Sequence, residues 1–151
     1  MSCIVCEEVA GSIPTPGGFL HDDGSSVGFH APPAPGNASP YLGHLMVTPR
    51  RHVASWSSLE DGEAASVSTG IRELTRQLEA AGAERVYVAV IGTHVDHLHV
   101  HLLPRWPGTP KEVPWHAVDE WEGGRHGDAP AVEATVACLR QGRPPSAGEV
   151  E

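Results

Sequence analysis

A chain of 151 residues with 40% hydrophobic composition is long enough to fold as one domain with a real core. Ten Lys plus Arg against 19 Asp plus Glu give a formal net charge of -9, which argues against a nucleic-acid polymer as partner. A small phosphate ester stays possible, because imidazoles, backbone amides and one or two arginines can gather an anion inside an acidic protein.

The first residues, Met1 to Glu8, carry no basic leader and no apolar run of signal length, and no later segment is long enough to span a membrane. The expected compartment is the cytoplasm, with no membrane partner. Cys3, Cys6 and Cys138 make an odd count that does not suggest a disulfide framework. Cys3-x-x-Cys6 reads as half of a zinc site rather than a redox pair, because no strand precedes it; free buried cysteines are the alternative. Asp22-Asp23-Gly24 predicts a turn before a short strand at Ser26 to Phe29. From Ala31 to Leu42 four prolines exclude regular structure, and a long loop in a compact domain is often a binding loop. Gly43 to Pro49 reads as a strand stopped by its proline, followed by a turn at Arg50-Arg51-His52.

Ser57 or Ser58 can cap a helix from about Leu59 to Ala81, in which Ala64, Val67, Ile71, Leu74, Leu78 and Ala81 form one apolar stripe. Val86 to Ile91 is a nearly continuous apolar strand, expected to be buried on both faces or central in the sheet. Beyond Arg105 an irregular, proline-pinned segment runs to Trp115, and Trp106, Trp115 and Trp121 either stack on a base or close the core. Asp128 can cap a last helix at Ala129 to Arg140, with Pro130 in its first turn. The expectation is a single domain over 1–141 and a disordered tail over 142–151.

After the Val86 to Ile91 strand and the turn at Gly92 to Asp96 comes the stretch that carries chemistry, His97-Leu98-His99-Val100-His101-Leu102-Leu103. As a strand it would place the three histidines on one face and the apolar residues on the other. Three imidazoles on a half-buried strand each need a partner. They could bind zinc as a catalytic triad, or perform phosphoryl transfer with one imidazole as nucleophile and others as donors. A solvated, histidine-rich strand is the bland alternative.

The run His97-x-His99-x-His101-Leu-Leu-Pro-Arg resembles the histidine triad family. The likeness extends over about residues 1 to 106, through Cys3-Ile-Val-Cys6 and Gly43-His44-Leu-Met-Val-x-Pro-Arg-x-His52. It implies an α+β fold, an antiparallel sheet of about five strands with one main helix and a short C-terminal helix, usually as a homodimer. It also implies a hydrolase acting on the α-phosphate of a nucleotidyl compound through a nucleotidyl-histidine intermediate. A nucleotidyltransferase or phosphorylase, or a noncatalytic nucleotide-binding protein, are the alternatives on the same fold.

By that resemblance His99 is the nucleophile, His101 and His44 donate to the phosphate oxygens, and Phe29, Thr93, His44, His101 and Arg105 contact the substrate. Cys3, Cys6, His52 and His97 would hold a structural zinc ion. The sequence departs from the family pattern where glutamine and serine or threonine usually stand, having Thr93 and His94. His94 thereby becomes a candidate acid for the leaving group. Ala31 stands where an acidic residue usually holds the ribose, and the Ala31 to Leu42 loop is longer than usual.

Overall fold

The structure, a computed structural model, describes residues 2–145. Of the expected tail, 142–145 follow the last helix without regular structure, and 146–151 lie outside the described residues.

Two of the three helices stand where the sequence puts them. Helix α2, Asp61–Ala80, starts two residues later than expected, because Glu60 and Glu63 form a capping box there. The serines serve a separate 3-10 turn, Trp56–Ser58, in which Ser57 N–H donates to Ser55 Oγ at 3.3 Å. Val67, Leu74 and Leu78 of its stripe are fully buried. Helix α3, Ala129–Arg140, is capped by Asp128, whose Oδ1 accepts from Ala131 N–H at 3.0 Å. The short helix α1, Ile4–Ala10, holds both N-terminal cysteines in place and has no counterpart in the sequence reading, since seven residues are too few to show a period.

Five strands follow: β1 (His21–Asp22), β2 (Ser26–His30), β3 (Leu45–Pro49), β4 (Arg85–Ala89) and β5 (Val100–Arg105). They form one antiparallel sheet in the order β1-β2-β3-β5-β4. The whole is α+β. Alternation divides the side chains between two faces. Leu45, Val47, Val100 and Leu102 pack with α2 in the main core, while Met46 joins Val27, Phe29 and Ala31 in a second cluster. His101 lies opposite Met46 in the ladder and is thus on the face away from α2.

Two expectations are corrected. The apolar strand is neither central nor buried: β5 inserts between β3 and β4, so β4 pairs along one edge alone. Val88 is 50% exposed, and Val90 and Ile91, past the strand end, are 51% and 61% exposed. A continuous apolar run cannot distinguish a central strand from an edge strand, because position in the sheet is set by long-range pairing. The histidine strand is also shorter than expected. The β3–β5 pairing ends at Val47 and Val100, so only His101 of the three lies within a strand. Pro49 has no N–H to offer a ladder. Its carbonyl accepts from His97 Nε2–H at 2.8 Å, and Thr48 Oγ1–H donates to Leu98 O at 2.7 Å.

Candidate active site and metal centre

That break in the ladder separates the three histidines. They do not form one row. His97 is fully buried, and its Nε2–H bond to Pro49 O leaves Nδ1 facing the thiols, 3.7 Å from Cys3 Sγ and 3.3 Å from Cys6 Sγ. Cys6 Sγ is also 3.4 Å from His52 Nδ1. One ligand atom from each of Cys3, Cys6, His52 and His97 lies within 4.8 Å of the others. A tetrahedral zinc with Zn–S of about 2.3 Å and Zn–N of about 2.0 Å needs donors roughly 3.4–3.8 Å apart. The donor set therefore fits zinc in number and type, and its three sulfur–nitrogen contacts of 3.7, 3.4 and 3.3 Å are near that spacing; the His97 Nε2–H bond to Pro49 O would be the outer support that fixes the tautomer. His99 and His101 are outside this group, which removes the reading of the triad as one catalytic metal site among the described residues.

His99 Nδ1–H donates to His97 O at 2.7 Å, which in the neutral ring places the lone pair on Nε2. The His99 and His101 rings meet edge to face, with centroids 4.8 Å apart. His101 Nδ1 faces His44 Nε2 at 2.9 Å. Burial, reinforced by His99, lowers His101 to about 4. Burial, then His101, His30 and His99, hold His44 well below the usual imidazole range. Both rings are neutral at pH 7, so one nitrogen of the facing pair carries the hydrogen and the other accepts it.

The remaining predicted residues are placed differently. Phe29 is fully buried, 5.9 Å from the Phe19 ring, and through Met46 it shares the sheet face that carries His101. Arg105 sits at the far end of β5, where its guanidinium donates to Tyr87 Oη at 2.8 Å, to Pro110 O at 3.0 Å and to Val113 O. It pins the 107–114 segment instead of a phosphate. Thr93 and His94 are exposed in the bend between β4 and β5, and neither bonds to the triad among the described residues.

One buried residue escaped the sequence reading. His30 is 2% exposed; its Nδ1–H donates to Ala31 O at 2.8 Å and its Nε2 accepts from Gly43 N–H at 3.0 Å. Burial lowers it to about 4. It thus tethers the end of the proline-rich loop one residue before His44. No local pattern marks it, since only the pairing of β2 with β3 brings the two positions together.

Comparison with known proteins agrees with this geometry. The HIT domain family matches residues 36–108. An adenosine 5'-monophosphoramidase of Schizosaccharomyces pombe is 30% identical over 127 residues, covering 73% of this chain and 86% of that protein. An uncharacterized HIT-like protein of Methanocaldococcus jannaschii is 26% identical over 111 residues, covering 70% of this chain and 81% of its own length. A zinc-bound histidine triad family protein from Mycobacterium smegmatis shares the fold with a TM-score of 0.67 at 22% identity, covering 94% of this chain and 93% of that one. With the triad and the matching sheet in hand, the chain belongs to the histidine triad (HIT) family.

Proposed function

We propose that the protein is a nucleotide hydrolase in which His99 attacks the α-phosphorus of a nucleotidyl compound. The observation that carries this reading is the His99 contact: with Nδ1–H donating to His97 O, the lone pair of the neutral ring is on Nε2. As the P–N bond forms, the bond to the leaving group breaks, and that group departs with its electron pair and takes up a proton. The exposed His94 is the candidate donor. His101 supplies the oxyanion contact. With His44 Nε2–H donating to His101 Nδ1, the Nε2–H of His101 is turned outward toward oxygens that gain charge in the transition state. His44 then acts through His101. Water attacks the nucleotidyl-histidine, the P–N bond breaks, and a nucleoside monophosphate leaves.

The similarity to a phosphoramidase supports a nucleoside phosphoramidate or a related anhydride as substrate. Cys3, Cys6, His52 and His97 are proposed to hold zinc as a structural ion with no open position, and the two thiolate ligands suit the reducing cytoplasm. The proposed partner is a second copy of the chain, paired along the open edge of β4, where Val88 and the neighbouring Val90 and Ile91 are exposed. Sedimentation would show a dimer that Val88→Glu dissociates; an unchanged sedimentation coefficient would reject that edge.

Intact mass after brief incubation with a panel of nucleotidyl substrates tests the mechanism. Wild type should show a nucleotidyl adduct or released monophosphate, and His99→Ala neither, while keeping its zinc. Turnover retained in His99→Ala would refute the nucleophile. Nucleotide binding with no adduct and no product in wild type would leave a binding protein.

A further inference from the structure

Tyr41, Trp106, Thr109, Trp121 and Arg125 line a cavity of about 180 Å³ that none of the triad histidines lines. Its walls are fixed. Trp106 is 3% exposed and its Nε1–H donates to Leu42 O at 2.9 Å; Tyr41 Oη–H donates to Pro104 O at 2.9 Å. Leu42 N–H donates to Arg125 O at 2.7 Å, which locks the backbone carrying the arginine. Trp121 lies on its own turn at Gly123, where an added Cβ would sit 2.2 Å from Cζ2 of the indole. Gly124 brings the chain against the Tyr41 ring, with Cε2 3.2 Å from the place a Cβ would take.

Arg125 is the unusual member. Its Cζ lies 4.7 Å from the Trp106 ring centroid, a cation–π contact that uses none of the guanidinium's N–H donors as hydrogen bonds. Among the described residues it has no hydrogen-bond acceptor and no ion-pair partner for those donors. The contrast with the other arginines that pack on the protein is plain: Arg50 pairs with Asp22, Arg51 with Glu63, Arg105 bonds two carbonyls, and Arg140 bonds Gly17 O and Phe19 O. Asp119, Glu120 and Glu122 belong to the same segment, yet none pairs with it. A half-buried guanidinium with open donors, held against an indole, is a preformed fork for a planar or tetrahedral oxyanion, while the Thr109 hydroxyl on the same wall is committed to Trp106 O at 2.8 Å.

We propose that the Arg125–Trp106–Trp121 cavity is a second anion site, which takes a small carboxylate or phosphate group in bidentate contact with Arg125. The site stands apart from the histidine triad, and the proposal does not depend on the nucleotidyl reading. The two sources of such a group are separated by titrating the full-length, zinc-loaded, nitrogen-15-labelled protein with sodium phosphate or sodium acetate at pH 7, against sodium chloride at matched ionic strength. Side-chain signals of Arg125 Nε–H and the Trp106 and Trp121 indole N–H report on this cavity alone. A saturable shift with phosphate only identifies a phosphoryl ligand, with acetate only a carboxylate ligand, and with both a general oxyanion site. Arg125→Gln should weaken binding at least about tenfold, as expected for loss of a charge-assisted contact. Arg125→Lys, which keeps the charge and loses the fork, should weaken it less. Shifts no different from those in sodium chloride in the wild type, or a saturable response of the Trp106 and Trp121 signals that survives intact in Arg125→Gln, would overturn the site.

Discussion

Each histidine near the centre of this molecule is defined by what its second nitrogen does. His97 gives Nε2–H to Pro49 O and turns Nδ1 to the thiols, while His99 gives Nδ1–H to His97 O and keeps Nε2 free. One pair of carbonyls thus divides a candidate metal ligand from a proposed nucleophile two residues away. His30 shows the energetic consequence of burial. Folding lowers it from 6.5 to about 4, so between those values the unfolded chain binds the proton that the folded chain refuses. Stability from this group is fully present above about pH 6.5 and falls as the pH drops toward 4. Between pH 7 and pH 5 the His30 contribution falls by about 2 kcal/mol. Urea unfolding at both pH values should show a smaller loss for His30→Gln than for wild type, although the variant starts lower at pH 7. Equal losses in the two proteins would show that His30 does not titrate in this window.

Among the elements, the junction from loop to β3 carries the most constraint. Gly43 has φ +93, and an added Cβ would lie 2.6 Å from Trp106 Cζ2, within a core ring that cannot retreat. Both strain and overlap oppose any side chain there. Gly43→Ala should destabilise the fold by roughly 2 kcal/mol or more and slow adduct formation, because His44 is the next residue. Thermal unfolding alongside the mass assay checks this, and a stability within about 0.5 kcal/mol of wild type would contradict the packing argument. Farther along the sheet, β1 is fastened to α2 by polar contacts rather than by apolar area. His21 bonds Glu73 Oε2 at 2.9 Å and Ser26 Oγ at 3.0 Å, Ser26 meets Ser66 at 2.6 Å, and Ser66 Oγ–H donates to Asp23. Hydrogen bonds from Ser26 N–H, Ser66 and Ser25 N–H lower Asp23 to about 2, so its contribution is present above its ordinary value of 3.8 and is lost as the pH falls toward 2.

For the whole molecule, the decisive link is the Cys/His group, which joins α1 at the N-terminus to the segment leading into β5. Metal bound there by the folded chain alone would add its binding free energy to folding. Cys6→Ser should lose the zinc and lower Tm by more than about 10 °C, and a strong chelator should do the same to wild type. Zinc content by elemental analysis and scanning calorimetry measure the two effects. Full stability without zinc would mean that the cysteines are packing residues. His99→Ala, by contrast, should leave both quantities unchanged.

Much of this was legible in the chain. The stripe from Val67 to Leu78, the Asp128 cap and the strand stopped at Pro49 are local patterns, and a helix or strand answers to local patterns. The resemblance to a known family, carried by Cys3, Cys6, His52, His97 and the triad repeat, also placed those four residues in one group apart from His99, and the structure brings the four together. Other features were decided in three dimensions. The edge position of β4 depends on β5 crossing to lie beside β3, the burial of Phe29 on Phe19, and the diversion of Arg105 on carbonyls of a loop that follows it. His30 at Gly43 and Arg125 on Trp106 likewise join positions far apart in sequence. A sequence states which groups are available and where a helix or strand can form. Which groups meet depends on strand order and loop closure, and these are set by the collective burial of the core.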